Sequence, residues 1–198
     1  LYSFKLNIMG LGEATVISLV VGFLLGLYAP IRAFFGMYLN ASRYIPLTAI
    51  TGILISWFGI HDAMKVHFLA LGIMVYLIPT VVARVQETLD VHLHTAQTLG
   101  ATPWEKVWTV FFPDVFRRVS TDMITLTAIS WTYITIAEML NNTGGIGAMM
   151  WECARRSRYE QMYALLFLVV ATGIVQDRVL KFVDRVMFPD KYNSSATF

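Results

Sequence analysis

Residues 88–119 decide the architecture of this chain, and they read TLDVHLHTAQTLGATPWEKVWTVFFPDVFRRV. The stretch is amphipathic, although it lies between two strongly apolar runs. Gly100 follows a helix-like run and suits the left-handed position just past a helix end. Thr102 and Glu105 have the spacing of a capping box, and Pro103 lies between them at the first helical position, where its missing N–H costs nothing. The pattern therefore predicts a capped helix–turn–helix elbow.

The second helix of this elbow should be short. Pro113 follows an apolar pair, and its ring and missing N–H interrupt the hydrogen-bond ladder of a helix interior. We therefore expect the elbow to extend over about 88–113, with its second helix ending near Pro113.

Composition places the elbow in a membrane protein. Of the 198 residues, 57% are hydrophobic and 14% are charged, whereas a soluble domain carries about 25% charged residues. Five runs lack charged residues, namely 14–31, 44–60, 68–83, 123–137 and 161–176. Each is close to the ~20 residues needed to cross a bilayer. We predict an all-α membrane fold with about five transmembrane helices, comprising a domain at 1–188 and a flexible tail at 189–198.

Several residues within these runs have structural meaning. Gly22 and Gly26, four positions apart, let another helix approach closely. Pro30 should end the first helix, and 32–43 reads as a short amphipathic connection. Pro79 should kink the third helix, which is compatible with a gate or with simple packing.

The fourth predicted helix carries the polar residues that could line a path. Its hydroxyl side chains must bond to a backbone carbonyl, a neighbouring helix or water, and their spacing spreads them around the helix. Glu138 lies at its far end, where an acid near hydrocarbon is costly and often functional. The candidate gate and pathway residues are Pro79, Thr127, Ser130, Thr135 and Glu138.

The distribution of basic residues predicts the orientation. With five spans, ten Lys and Arg residues fall on the side of the elbow and of the C-terminus, and five fall on the other side. Positive residues are enriched in cytoplasmic segments, so we expect the elbow and the C-terminus in the cytoplasm.

Several function classes lack their motifs. The chain has no phosphate-binding loop of the Gly-x-x-x-x-Gly-Lys-Ser/Thr type and no His-Glu-x-x-His. Cys153 is its single cysteine, and His92 and His94 are two apart, on different faces of a helix. We predict no catalytic, cofactor-binding or metal-binding residue and no enzyme activity. The net charge of +2 gives no reason to expect nucleic acid as a partner.

The elbow resembles the cytoplasmic loop of ABC importer permeases, whose pattern is Glu-Ala-Ala, three residues, Gly, nine residues, Ile-x-Leu-Pro. The matching positions are Ala96, Gly100, Val110, Phe112 and Pro113, while His94 and Thr95 replace the first two residues of the pattern. Two further segments resemble the nitrate, sulfonate, taurine and bicarbonate branch of these permeases. One runs from Pro46 to Gly59 with its Trp-Phe-Gly end, and the other runs from Ala137-Glu138 to Gly147.

This resemblance implies the transmembrane domain of a type I ABC importer in the bacterial inner membrane. Two permease subunits, identical or homologous, would pair, and each elbow would act as a coupling helix docked on a separate ATPase subunit that binds the ATP. The implied docking residues are Leu93, Thr95, Ala96, Thr98, Leu99, Gly100 and Ala101, with Thr102, Pro103 and Trp104 bracing the turn. The other implied partners are an external solute-binding protein and membrane lipid.

Members of this branch commonly have six spans, so we expect this chain to lack the first. The solute stays open among small anions such as nitrate, sulfonates, taurine and bicarbonate. An ion-coupled secondary transporter is the alternative, although the charge-free runs place no ionisable group at mid-membrane, where such carriers need one. A membrane-embedded enzyme would need clustered His, Asp or Glu, which the sequence does not display.

Overall fold

The computed structural model describes residues 1–88 and 90–193, with side chains at 1–88 and 94–192. The helices, in chain order, are α1 (Tyr2–Leu27), α2 (Ala29–Ser42), α3 (Leu47–Phe58), α4 (Asp62–Gln86), α5 (Asp90–Thr98), α6 (Pro103–Lys106), α7 (Phe112–Leu140), α8 (Ile146–Arg155), α9 (Tyr159–Met187) and α10 (Pro189–Asn193). A π-helical turn, Val107–Phe111, joins α6 to α7.

The centre of the fold is the pair α1 and α4, which run parallel in close contact. Glycines of α1 meet residues of α4 that lie 59 positions further along the chain: Gly10 meets Leu69, Gly22 meets Val81 and Gly26 meets Val85. A Cβ added to Gly22 would lie only 2.5 Å from the Cβ of Val81. The predicted close approach at Gly22 and Gly26 is therefore confirmed, and α4 is the partner helix.

Helix α7 packs on the other side of α4. Gly72 of α4 lies against the ring of Tyr133 on α7. A second apolar cluster, formed by Leu54, Met64, Phe68 and Ala137, joins α3, α4 and α7. The remaining long helix, α9, buries few of its residues, so most of its surface is available to lipid or to another subunit.

All five predicted runs lie in helices, but their boundaries differ from the prediction. Among the described residues, four helices are long and apolar enough to span a membrane: Tyr2–Leu27, Asp62–Gln86, Pro103–Leu140 and Tyr159–Met187. The fifth, α3, has 12 residues and is about 18 Å long at ~1.5 Å per residue.

The first helix begins and ends earlier than predicted. It runs from Tyr2 to Leu27 and thus extends beyond the charge-free run through Glu13, whose carboxylate lies 2.7 Å from the Nδ1 atom of His67 on α4. Pro30 does not end α1 but lies in the first turn of α2, where no N–H is needed. The expected connection at 32–43 is therefore mostly helical.

The second helix of the elbow does not end at Pro113, so that prediction is wrong. Helical structure continues from Pro103 to Leu140. The N–H of Phe112 bonds to the carbonyl of Val107, five residues back, so the ladder has already shifted by one residue where Pro113 lies. This wider turn accommodates a proline that a regular helix would exclude.

The C-terminal segment is also more ordered at its start than predicted. Residues 189–193 form α10, whereas the rest of the predicted tail, 194–198, lies outside the described residues.

Candidate functional sites: a capped elbow and a glycine-rich outer loop

The first turn of the elbow closes α5 with main-chain hydrogen bonds. Gly100 has φ +79°, which is the left-handed position that the sequence predicts. Its N–H donates to the carbonyl of Gln97 at 3.0 Å, and the N–H of Ala101 donates to the carbonyl of Ala96 at 2.9 Å. This pair of bonds is a Schellman ending, which satisfies the last free carbonyls of a helix.

The predicted capping box of α6 is confirmed. The hydroxyl of Thr102 accepts from the N–H of Glu105 at 3.3 Å, and the carboxylate of Glu105 accepts from the N–H of Thr102 at 2.7 Å. Both helix ends that meet at the elbow are therefore capped, and the turn between them is stiff.

The predicted docking residues lie on the outside of this turn. Leu99 is 82% exposed and Trp104 is 68% exposed. Thr95, Thr98, Gly100, Thr102 and Pro103 are exposed, Ala96 and Ala101 are half-buried, and the side chain of Leu93 lies outside the described residues. A cavity of about 420 Å³, lined in part by Leu99, Val110 and Pro113, opens between α5 and the start of the long helix.

An aromatic row braces the elbow against the long helix. Trp104, Trp108, Phe112 and Phe116 follow each other at four-residue spacing, with ring centroids 5.8, 5.2 and 5.8 Å apart. The interplanar angles of 74° and 44° at the first two contacts are typical of favourable aromatic pairs.

A charged cluster, which we call the ionic belt, joins the end of α4 to the first turns of α7 beside the elbow. The guanidinium of Arg84 at the end of α4 donates to both oxygens of Asp122 on α7, at 2.8 and 2.9 Å, and to Glu87 at 2.8 Å. Arg118 lies 3.1 Å from Asp114 and 3.7 Å from Glu87. Bidentate arginine–carboxylate pairs combine strength with a defined geometry, so α4 and α7 are held together beside the elbow.

The C-terminal end of α9 lies at this same end of the molecule. Asp184 is 4% exposed, and its carboxylate accepts from Ser120 of α7 and from Lys191 and Tyr192 of α10. The hydrogen bond to Asp184 raises the pKa of Tyr192. This clamp ties α9 and α10 to the start of α7.

At the opposite end, Glu138 is enclosed by a glycine-rich loop. Its side chain is 0% exposed, and its Oε2 atom accepts from the N–H of Gly147 at 2.9 Å. Gly145 has φ +108°, and a Cβ there would overlap the Glu138 carboxylate. A Cβ on Gly147 would overlap the carbonyl of Thr135. The loop therefore requires glycine at both positions.

Lys65 is a buried cation at the same end of the molecule as Glu138, which we call the outer end. It is also 0% exposed, and its ammonium donates to the carbonyl of Gly144 at 3.0 Å and to the hydroxyl of Tyr2 at 3.2 Å. Asp62 accepts from Tyr2 and lies 4.0 Å from Lys65. These contacts tie the start of α1 and the start of α4 to the glycine loop.

Two of the predicted pathway residues lie in the interior of the subunit. Thr127 and Ser130 are 1% and 0% exposed, and their hydroxyls bond to carbonyls of their own helix. Ser130 also accepts from Asn7 at 2.8 Å, and Gln176 joins Asn7 to the indole N–H of Trp131 through bonds of 2.9 Å. This chain of side chains connects α1, α7 and α9.

Two further pathway candidates, Thr135 and Pro79, are less enclosed than Thr127, Ser130 and Glu138. Thr135 lines a cavity of about 560 Å³ between α7, α8 and α9, together with Trp131 and Gly173. Pro79 is half-buried inside α4, which continues unbroken past it. Thr135 thus faces a cavity, and its role in transport stays a prediction.

Residues 14–189 match the protein family described as "Binding-protein-dependent transport system inner membrane component". The chain belongs to this family. Together with its long apolar helices, this membership makes the chain a multi-pass protein of the inner membrane, and its fold is the transmembrane domain of a type I ABC importer.

Curated relatives support the sulfonate and taurine branch. The permease is 25% identical to the taurine transport system permease protein of Escherichia coli over 142 residues, which are 72% of this chain and 52% of that protein. It is 20% identical to a Bacillus subtilis protein named, provisionally, as an aliphatic sulfonates transport permease, over 85% of this chain and 61% of that protein. The chain thus spans between half and two thirds of the length of these two relatives.

A solved structure supports the fold. An amino acid ABC transporter, crystallised with histidines, aligns with a TM-score of 0.64 over 94% of this chain and 89% of that chain, at 15% identity. At this identity, the likeness concerns the fold of the permease alone.

Sequence reasoning missed the side chains that pair across helices. Arg84 and Asp122 are 38 residues apart, and Glu13 and His67 are 54 apart. The local sequence does not show which residues pair over such distances. The position of an ionisable residue at the edge of an apolar run could, however, have indicated that it needs a partner. Among the described residues, no group of three or more His, Cys, Asp or Glu could hold a metal ion.

Proposed function

We propose that this permease is a subunit of an ATP-driven importer and that its elbow docks on a separate ATPase subunit. The ATPase subunit holds the ATP, a second permease subunit completes the path, and an external binding protein delivers the solute. Whether the second permease is a copy of this chain or a homologue is left open.

One observation carries this proposal: the turn between α5 and α6 is capped and exposed, and side-chain contacts hold it against α7. Leu99 and Trp104 are large apolar side chains that the chain itself leaves uncovered, and such groups mark protein–protein contacts. The aromatic row and the ionic belt join the turn to α4 and α7. A stiff element transmits a displacement that a flexible loop would absorb.

In this mechanism, ATP acts on the helices only through the ATPase dimer. Closure of that dimer draws two elbows together and favours one arrangement of the helices over the other. ATP can shift the equilibrium between these two helix arrangements only by the difference between its binding free energies for the two.

The proposed orientation places the elbow and the C-terminus in the cytoplasm. Arg84, Arg117 and Arg118 lie at the elbow end, together with the basic residues of α9 and α10. The excess of basic residues on this side supports a cytoplasmic location by the positive-inside rule.

The proposed solute is a small anion or zwitterion of the sulfonate class, with taurine as the first probe because of the relatives' names. Nitrate and bicarbonate are the other candidates from the resemblance. Selectivity would reside mainly in the external binding protein.

The test is co-purification with the ATPase subunit, followed by ATP-dependent taurine uptake in proteoliposomes. Gly100→Pro should abolish coupling, because proline cannot adopt the φ of +79° found there. Gly100→Ala is the milder comparison: its Cβ meets no atom within 4 Å, but a φ of +79° strains any L side chain, so coupling should fall by less than in the proline variant. Full uptake by the proline variant would refute the docking role.

A further inference from the structure

Glu13 and His67 form an ionisable pair within the spanning helices of the permease. The charge-free runs begin just after each of them, but α1 begins at Tyr2 and α4 at Asp62. The Oε1 atom of Glu13 lies 2.7 Å from the Nδ1 atom of His67. The ring centroid of Phe58, at the end of α3, lies 4.2 Å from the centroid of the imidazole.

The pair lies below the outer surface of the hydrocarbon layer. Glu13 is the twelfth residue of α1, about 16 Å from the start of the helix at ~1.5 Å per residue. The register of α1 against α4 places His67 level with Ile8. Because α1 has 26 residues and the hydrocarbon layer is about 30 Å thick, a centred α1 carries both side chains into that layer.

The chain does not enclose this pair. The side chains of His67 and Glu13 are 32% and 27% exposed, whereas Lys65 and Glu138 are both 0% exposed. At the neighbouring Gly12, an added Cβ would meet no atom within 4 Å. Ionisable groups against lipid are costly and are found facing a cavity or a bundle interior. This surface therefore has to meet water or a polar surface in the assembled transporter.

We propose that Glu13 and His67 line the water-filled path of the solute, with His67 as a solute contact and Glu13 as its positioning residue. This inference rests on the proposed transport function. The carboxylate of Glu13 accepts from Nδ1–H, which leaves Nε2 of His67 for a passing solute. In a neutral imidazole whose Nδ1–H is donated to Glu13, Nε2 is an acceptor, so it suits a donor group of the solute such as the ammonium of taurine.

Water access is tested by cysteine labelling in a Cys153→Ser background, which removes the single native cysteine. Glu13→Cys and His67→Cys are treated with a membrane-impermeant methanethiosulfonate that itself carries a sulfonate group. Both should react, and taurine should slow the reaction. Val175→Cys on α9 is the control, because Val175 is 61% exposed on a helix that buries few of its residues and should face lipid and stay unlabelled. Failure to label positions 13 and 67 in every nucleotide state, or equal labelling at position 175, would overturn the proposal.

Two amide variants separate solute contact from simple pairing. His67→Asn keeps a donor near the Nδ1 position and can still reach Glu13, whereas His67→Gln places its amide near the Nε2 position. If Nε2 contacts the solute, His67→Asn should lower taurine uptake at sub-saturating concentration by about tenfold, and His67→Gln should lose less. The opposite order would indicate a purely structural pair.

The outcomes also distinguish this inference from the proposed function. If the wild-type permease neither binds an ATPase subunit nor shows ATP-dependent uptake, the proposed function is wrong. If the wild type transports normally but the cysteines at positions 13 and 67 stay unlabelled, only the proposed path is wrong.

Discussion

The two ends of the permease use left-handed glycines in opposite ways. At the elbow, Gly100 has φ +79° and a Cβ there would meet no atom within 4 Å. In the outer loop, Gly145 has φ +108° and a Cβ there would overlap Glu138. The outer loop is filled by its own chain, whereas the elbow leaves its surface free. A conformational requirement for glycine is therefore compatible with a tightly packed loop and with an exposed turn.

The charged groups differ in the same way. Glu138 and Lys65 at the outer end are both fully buried, while Arg84 and Asp122 of the ionic belt are 32% and 22% exposed. Buried charges are costly to disturb, and half-exposed pairs contribute modestly. We therefore expect substitutions at the outer end to change stability and substitutions at the elbow to change coupling.

The largest loss of stability should follow Gly147→Ala. The added Cβ would overlap the carbonyl of Thr135, and a backbone atom cannot move aside as a side chain can. We expect a loss of about 3 kcal/mol, measured as a lower unfolding temperature in detergent. Gly36→Ala is the control, since a Cβ there meets no atom within 4 Å. Equal unfolding temperatures for the two variants would contradict the tight packing of the outer loop.

Glu138→Ala should rank second, at about 2 kcal/mol. It removes the acceptor of the Gly147 N–H and the carboxylate that interacts electrostatically with buried Lys65. Glu138→Gln keeps an acceptor oxygen and should cost less. The same unfolding measurement ranks the two variants, and a glutamine variant that is less stable than the alanine variant would contradict the role of the acceptor.

Breaking the ionic belt should cost about 1 kcal/mol but impair coupling more clearly. Arg84→Ala should lower the ratio of taurine transported to ATP hydrolysed, because α4 and α7 would no longer move together. The charge-swapped double variant, Arg84→Asp with Asp122→Arg, should recover part of this ratio. Lys181→Ala is the control, since it removes the exposed ion pair to Asp177. No recovery in the double variant would argue against a specific pair.

Leu99→Ala should have the smallest effect on stability, within about 0.5 kcal/mol, because its side chain is largely exposed. Trp104→Ala should cost about 1 kcal/mol, because it also removes the ring contact with Trp108. ATPase binding should nevertheless weaken by about tenfold, as expected for apolar anchors of an interface. Trp151→Ala, at the outer end and 42% exposed, is the matched control and should leave ATPase binding unchanged.

Local features of the fold could be predicted from sequence. The left-handed Gly100, the capping box of Thr102 and Glu105, and the ion pair of Asp177 and Lys181 are each encoded within a few residues, and each is present. The close helix approach at Gly22 and Gly26 could also be predicted, although its partner could not.

The predicted helix bounds were wrong where contacts between distant residues or unusual backbone geometry determine the structure. Glu13 ends a charge-free run in the sequence, yet α1 continues through it, and its partner His67 lies 54 residues further along the chain. Pro113 reads as a stop, but the π-helical turn before it absorbs the missing hydrogen bond. The capped turn at Gly100 and Thr102 could be predicted because its caps are local, whereas the ionic belt depends on residues that meet only after folding.

The even register of α1 against α4 has a mechanical consequence. Contacts at Gly10, Gly22 and Gly26 join the two helices along nearly their whole length, so neither can slide past the other without steric overlap. The two helices therefore form one rigid unit. At the elbow end, Arg84 of α4 binds Asp122 of α7. At the other end, Lys65 of α4 contacts Tyr2 of α1 and the carbonyl of Gly144 in the glycine loop. Under the proposed mechanism, a displacement at the elbow end would be carried along both helices to the glycine loop.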